Sequence, residues 1–66
     1  MRTKLKVYRE KAGLTQEQLA EKVKVARQTI LFLEKGQYNP SLRLAFRISR
    51  VLSVPVEELF SFDDES

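Results

Sequence analysis

Apolar residues recur every three or four positions along most of the chain, which is the spacing typical of amphipathic helices. This pattern predicts five short helices, over residues 3–12, 15–23, 27–35, 42–52 and 55–60. Helices of this length are marginal alone in water, so they must share one core. The expected core positions are Leu5, Tyr8, Ala12, Leu19, Ala20, Val23, Ile30, Leu33, Leu42, Ala45, Ile48 and Leu52. We therefore expect an all-α fold with a single domain over residues 1–66.

Residues that commonly cap helices stand at the predicted helix ends. Thr15 and Gln18 have the spacing of a capping box, with Thr15 as the N-cap residue. Gly13 and Gly36 follow the first and third helices, where a left-handed residue often ends a helix. Ser41 is the expected N-cap of the fourth helix.

Charge is distributed unevenly along the chain. Residues 1–50 hold all 12 Lys and Arg residues with four acidic ones, a formal charge of +8. Residues 51–66 hold five acidic residues and no basic one, a formal charge of −5, and residues 61–66 read as an acidic tail. A basic body with a separate acidic end fits a polyanion-binding face, although ordinary surface charge accounts for it equally well.

Several function classes are unfavourable for this composition. The chain has no Cys and no His, which removes disulfides, thiolate metal sites and the usual general base. It also contains no apolar run of the roughly 20 residues that span a bilayer, and no signal-peptide pattern. We therefore expect a cytoplasmic protein that is not an enzyme, with no metal, cofactor, small-molecule ligand or membrane association.

The most specific pattern lies in residues 15–34, where two predicted helices meet at a short turn. Ala20 is small where the helices would cross, and Val25 in the turn can fill the gap between them. Ile30 would face back onto the earlier helix. This is the sequence form of a helix-turn-helix, which places its second helix in the major groove of DNA.

Further short stretches extend this pattern, at residues 14–16, 18–20, 27–30, 33–36, 38–42 and 56–60. With them, the chain resembles the Cro/C1-type helix-turn-helix family, also called the Xre family, over residues 4–60. The resemblance implies a lambda-repressor-like domain of five helices, with helices 2 and 3 as the helix-turn-helix. It also implies a transcriptional regulator, commonly a repressor, that binds a near-palindromic operator in double-stranded DNA as a homodimer.

The resemblance assigns DNA contacts to the helix-turn-helix and the loop after it. Gln28 suits the N6 and N7 atoms of adenine, and Arg27 suits either guanine or a phosphate. Gln16 is expected to contact a phosphate and to support the recognition helix. The full expected set is Gln16, Arg27, Gln28, Thr29, Leu31, Lys35, Tyr38, Asn39, Ser41 and Arg43.

Leu31 and Phe32 do not fit the core together with Ile30 and Leu33, because one helix face cannot hold four consecutive residues. Three alternatives are open: contact with thymine methyl groups, packing under the loop at Tyr38, or a partner surface. We favour the groove for Leu31 and loop packing for Phe32.

The resemblance also makes structural predictions. Arg9 and Glu34 match a pair that joins the first and third helices in related domains. Lys24 stands where the family often has Gly, and Ala26 stands where a polar N-cap is usual. Each departure predicts a cost of about 1 kcal/mol in the turn.

The end of the chain carries more apolar residues than a small core requires. Some are expected to complete the core, and the surplus is expected to form a two-fold dimer seam. The candidates for this seam are Val54, Val56, Leu59, Phe60 and Phe62. A small β-ribbon between residues 1–3 and 60–62 is compatible with the sequence. The alternative function is a protein-interaction module, such as an antitoxin that also binds its own operator, in which the acidic tail and Phe62 would act.

Overall fold

Five helices and two short strands form residues 1–61, the part of the chain that the computed structural model describes. In chain order they are β1 (Arg2–Thr3), α1 (Leu5–Lys11), α2 (Gln16–Val23), α3 (Arg27–Glu34), α4 (Leu42–Leu52), α5 (Val56–Leu59) and β2 (Phe60–Ser61). Every helix end lies within two residues of its predicted position. The all-α prediction is therefore confirmed, and no helix in this part of the chain combines the length and apolarity needed to cross a membrane.

The predicted β-ribbon is present between the two ends of the described chain. β1 and β2 are antiparallel, with Arg2 opposite Ser61 and Thr3 opposite Phe60. The Lys4 backbone N–H extends this contact by donating to the Leu59 carbonyl oxygen at 2.8 Å. The first and last elements thus hold each other on one side of the bundle.

Every helix contributes to one hydrophobic core. Its largest fully buried side chains are Leu5, Leu19, Val23, Ile30, Leu33, Ile48 and Leu59. Tyr8 and Val25 are half-buried and pack against this cluster. Val25 therefore occupies the position in the helix-turn-helix that the sequence predicted for it.

Two predicted core positions are wrong. Leu42 is 82% exposed, and Ala12 is exposed just beyond the end of α1. The buried face of α4 instead begins at Leu44 and continues through Ala45 and Ile48. Leu42 precedes Leu44 by two residues, which turns its side chain about 200° around the helix axis and away from the core.

The predicted caps form as expected. The Gln18 backbone N–H donates to Thr15 Oγ1 at 3.0 Å, and the Thr15 N–H donates to Gln18 Oε1 at 2.9 Å. Gly13 and Gly36 have φ angles of 76° and 71°, which any residue with a Cβ adopts at a cost. Ser41 Oγ accepts the Leu44 N–H at 3.1 Å and so begins α4.

The turn between α2 and α3 contains both predicted departures from the family pattern. Lys24 adopts the left-handed conformation with a φ of 62°. The Val25 N–H closes the end of α2 by donating to the Ala20 carbonyl oxygen at 3.0 Å. Ala26 occupies the N-cap position of α3 without any side-chain hydrogen bond. The turn therefore forms correctly although two of its residues are not the most stable choices.

Candidate nucleic-acid interface

The side chains of α3 divide into a buried face and an exposed face. Ile30 and Leu33 have no accessible surface, and they fix α3 against the core. Arg27 and Gln28, on the first turn of α3, are exposed. Because the buried residues set the rotation of the helix, the leading polar side chains of α3 face outward.

A buried carboxylate secures the other end of α3. Glu34 Oε2 accepts a hydrogen bond from Arg9 Nε at 2.6 Å, and Arg9 Nη2 lies 3.3 Å from Glu34 Oε1. The two side chains are only 8% and 5% exposed. Arg9 Nη1 also donates to the Leu14 carbonyl oxygen at 2.8 Å, which adds the loop between α1 and α2. The predicted pairing of Arg9 with Glu34 is confirmed.

Gln16 connects this buried pair to the start of α3. Its Nε2 donates to Glu34 Oε1 at 3.0 Å, and its Oε1 accepts from Arg27 Nη1 at 3.4 Å. The first residue of α2 thereby contacts both ends of α3. The supporting role expected of Gln16 has a structural basis, and its contact with a phosphate stays a prediction.

The remaining predicted contacts follow α3 and the loop after it. Gln28, Lys35, Asn39, Ser41 and Arg43 are exposed, and Thr29 and Leu31 are half-buried. Tyr38 is 45% exposed. Ser41 already uses its Oγ as a cap acceptor, but its hydroxyl hydrogen is available to a further acceptor such as a phosphate oxygen. The set forms one run along the chain, from the start of α3 to the first turn of α4.

Phe32 remains 41% exposed, so a large part of its ring is covered and a large part faces solvent. Leu31 is half-buried beside it on α3. The roles predicted for Leu31 in the groove and for Phe32 under the loop stay predictions.

The dimer seam expected from the sequence requires a correction. Leu59 and Phe60 are 0% and 3% exposed within a single chain. Side chains without accessible surface cannot contact a second copy, so their assignment to the seam is wrong. Val54 and Val56 are half-buried and keep an outward edge, and Phe62 lies outside the described residues.

Sequence reasoning missed an apolar pair on α4. Leu42 and Phe46 are 82% and 54% exposed, and the Arg50 guanidinium lies 5.7 Å from the centroid of the Phe46 ring. A stricter use of helical spacing would have found the pair, since α4 buries Leu44 and Ile48 on its opposite side.

A helix whose exposed leading turn is supported by a preceding helix across a short turn defines the helix-turn-helix class of DNA-binding domain. The chain belongs to the Cro/C1-type helix-turn-helix family, whose pattern matches residues 5–59. The function of this family is DNA-binding regulation of transcription.

Similar proteins come from both archaea and bacteria. A protein of Archaeoglobus fulgidus named as an HTH-type transcriptional regulator is 62% identical over 65 residues, covering 98% of this chain and 93% of the relative. The restriction-modification controller protein C.AhdI of Aeromonas hydrophila matches with a TM-score of 0.76 and 34% identity over 85% of each chain. The N-terminal DNA-binding domain of SinR from Bacillus subtilis matches with a TM-score of 0.77 and 34% identity, over 92% of this chain and 90% of that one. The fold is therefore lambda-repressor-like.

Proposed function

We propose that the protein represses transcription by binding, as a homodimer, to a near-palindromic operator. The observation that carries the proposal is the exposure of Gln28 on the first turn of α3, while Ile30 and Leu33 hold that helix against the core. A rigid helix with an outward amide can present that group at a constant position in the major groove. Because the target is genomic DNA, we place the protein in the cytoplasm.

Base recognition is assigned to the exposed face of α3. The Gln28 amide both donates and accepts, as the N6 and N7 atoms of adenine require. Thr29 and Leu31 lie on the next part of the helix, where a methyl group can meet the methyl of thymine. Arg27 already lies 3.4 Å from Gln16, and this arrangement favours contact with a phosphate over contact with guanine.

Backbone contacts are assigned to the ends of this surface. Gln16 begins α2, and the exposed polar side chains of Lys35, Tyr38, Asn39, Ser41 and Arg43 follow α3. Contacts with phosphates position a protein on the duplex without reading its sequence. A two-fold dimer would set two such surfaces about 34 Å apart, which is one turn of DNA, and occupancy of that site suffices for repression.

The proposal is tested by titrating the protein with the DNA upstream of its own gene at several salt concentrations. The logarithm of the binding constant should fall with the logarithm of salt, with a slope of about −0.9 for each phosphate contacted. Gln28→Ala should weaken the preferred site by roughly 1–3 kcal/mol and reduce discrimination between sites. Lys35→Ala should weaken preferred and unrelated sites alike.

Gln37 provides a matched control, because it is a second exposed glutamine that lies in the loop and outside the predicted site. Gln37→Ala should leave the discrimination between sites unchanged. Full retention of discrimination by Gln28→Ala would show that α3 does not read the bases.

A further inference from the structure

The outer face of α4 carries an apolar surface that the DNA contacts do not use. Leu42 and Phe46 are 82% and 54% exposed, and their spacing of four residues makes them neighbours on one side of the helix. We call this pair the α4 strip. Single exposed apolar residues are common, but adjacent ones often mark a surface that another molecule covers.

The apolar surface continues from the α4 strip toward α5. Ser49 Oγ donates to the Val54 carbonyl oxygen at 2.6 Å, which holds the loop after α4 against the helix about one turn beyond Phe46. Val54 and Val56 are half-buried in this region. A typical stable interface needs about 800 Å² from each partner, more than two side chains supply, so the valines are a necessary extension of the strip.

The charges around this surface favour a second copy of the same chain. α4 contains Arg43, Arg47 and Arg50 and no acidic residue, whereas the first turn of α5 contains Glu57. Two parallel α4 helices would place arginines opposite arginines. Two antiparallel α4 helices would bring the start of one, with Arg43, close to the end of the other, where α5 begins with Glu57.

We propose that the α4 strip is the centre of a two-fold homodimer interface, with Leu42 of each copy packed against the partner's Phe46. In a two-fold interface each copy supplies both halves of every contact, as this pair allows. The inference deepens the proposed function, because it identifies the surface through which the homodimer forms. Self-association can nevertheless be measured without DNA.

The first test is sedimentation of the wild-type chain and of the double variant Leu42→Ser/Phe46→Ser at micromolar concentration. Both side chains are largely exposed in the single chain, so their loss should not disturb the core, and circular dichroism checks this. We expect a wild-type dimer and a roughly hundredfold weaker one in the variant, as is usual when two central apolar contacts are removed. Val7→Ser is the control, because Val7 is 50% exposed on α1, away from the strip.

A second test uses the absence of native cysteine. Equal amounts of Leu42→Cys chains and Phe46→Cys chains are mixed and oxidised. We expect a mixed disulfide-linked dimer in high yield, whereas Val7→Cys chains should give only the low yield of random encounters. No excess of mixed dimer over the Val7→Cys control would overturn the proposed contact.

DNA binding separates the inference from the proposed function. The double variant should keep the affinity of the wild type for a single half-site and lose affinity for the complete palindrome. A monomeric wild type, or a dimer that persists in the double variant, would overturn the inference whatever happens with DNA. A dimer that the double variant abolishes, in a chain that binds no operator, would support the inference and contradict the proposed function.

Discussion

Glu34 is the residue on which the position of the recognition helix most depends. Its carboxylate accepts hydrogen bonds from Arg9 and from Gln16, and its side chain is almost completely buried. A buried ion pair adds little net stability when it is compared with an apolar pair, but loss of one partner leaves a buried charge uncompensated. Glu34 therefore orients α3 more than it stabilises the domain as a whole.

Glu34→Ala should lower the free energy of unfolding by about 3–5 kcal/mol, because Arg9 would remain buried without its partner. Urea unfolding measures this change. Glu10 offers the control, since its carboxylate lies 4.0 Å from Arg9 Nη2 and its side chain is 58% exposed. Glu10→Ala should cost less than about 1 kcal/mol. Equal losses in the two variants would show that the buried pair has no special weight.

Tyr8 reports on the contact between α1 and the start of α5. Its hydroxyl donates to Glu58 Oε1 at 3.1 Å, and this hydrogen bond, together with the negative charge of Glu58, raises the pKa of Tyr8. The folded chain therefore holds the tyrosine proton more tightly than the unfolded chain. The resulting stability is present below about pH 10, the ordinary pKa of tyrosine, and is lost as the pH rises through the raised pKa.

We expect Glu58→Gln to lower the pKa of Tyr8 toward its ordinary value. The measurement is tyrosinate absorbance against pH in a Tyr38→Phe background, where Tyr8 is the remaining tyrosine. Glu57→Gln is the matched control and should leave the titration midpoint in place. A midpoint that does not respond to Glu58→Gln would mean that the hydrogen bond is not formed in solution.

At the scale of the elements, the turn between α2 and α3 forms from residues that are not optimal for it. Lys24 is left-handed with a φ of 62°, and Ala26 caps α3 without a side-chain acceptor. The Ala20 carbonyl oxygen still accepts the Val25 N–H, and Val25 packs on the core. Tertiary contacts thus hold a turn that local preferences alone would form weakly.

Ala26→Ser should raise the free energy of unfolding by about 1 kcal/mol, because Ala26 already has the extended backbone of an N-cap and serine would supply the missing acceptor. Ala12→Ser is the control, since Ala12 is exposed beyond the end of α1. Urea unfolding of both variants measures the difference. An unchanged midpoint for Ala26→Ser would mean that the start of α3 gains nothing from a capping side chain.

The ends of the helices were predictable because their signals are local. Thr15 with Gln18, Gly13, Gly36 and Ser41 act on backbone groups within about four residues. Helical spacing alone does not give the rotation of a helix about its axis. For this reason α4 had the predicted bounds while Leu42 was assigned to the wrong face.

At the scale of the whole molecule, the two ends of the described chain determine what is surface. β1 pairs with β2, and this pairing encloses Phe60 and Leu59 within the core. A count of apolar residues near residue 60 could not distinguish a core from a dimer seam, because the residues that cover them come from the start of the chain. The exposed apolar surface lies on α4 instead.

The sequence by itself determined the five helices, their caps and the helix-turn-helix, because spacing and capping act between residues that are close along the chain. Only the tertiary structure decided which side chains share Glu34, which face of α4 is exposed, and that Leu59 and Phe60 are internal. These properties depend on contacts between segments separated by 18 to 25 residues in the Glu34 cluster and by the length of the described chain in the β-ribbon. Contacts of that range form only when the bundle closes, and no local pattern encodes them.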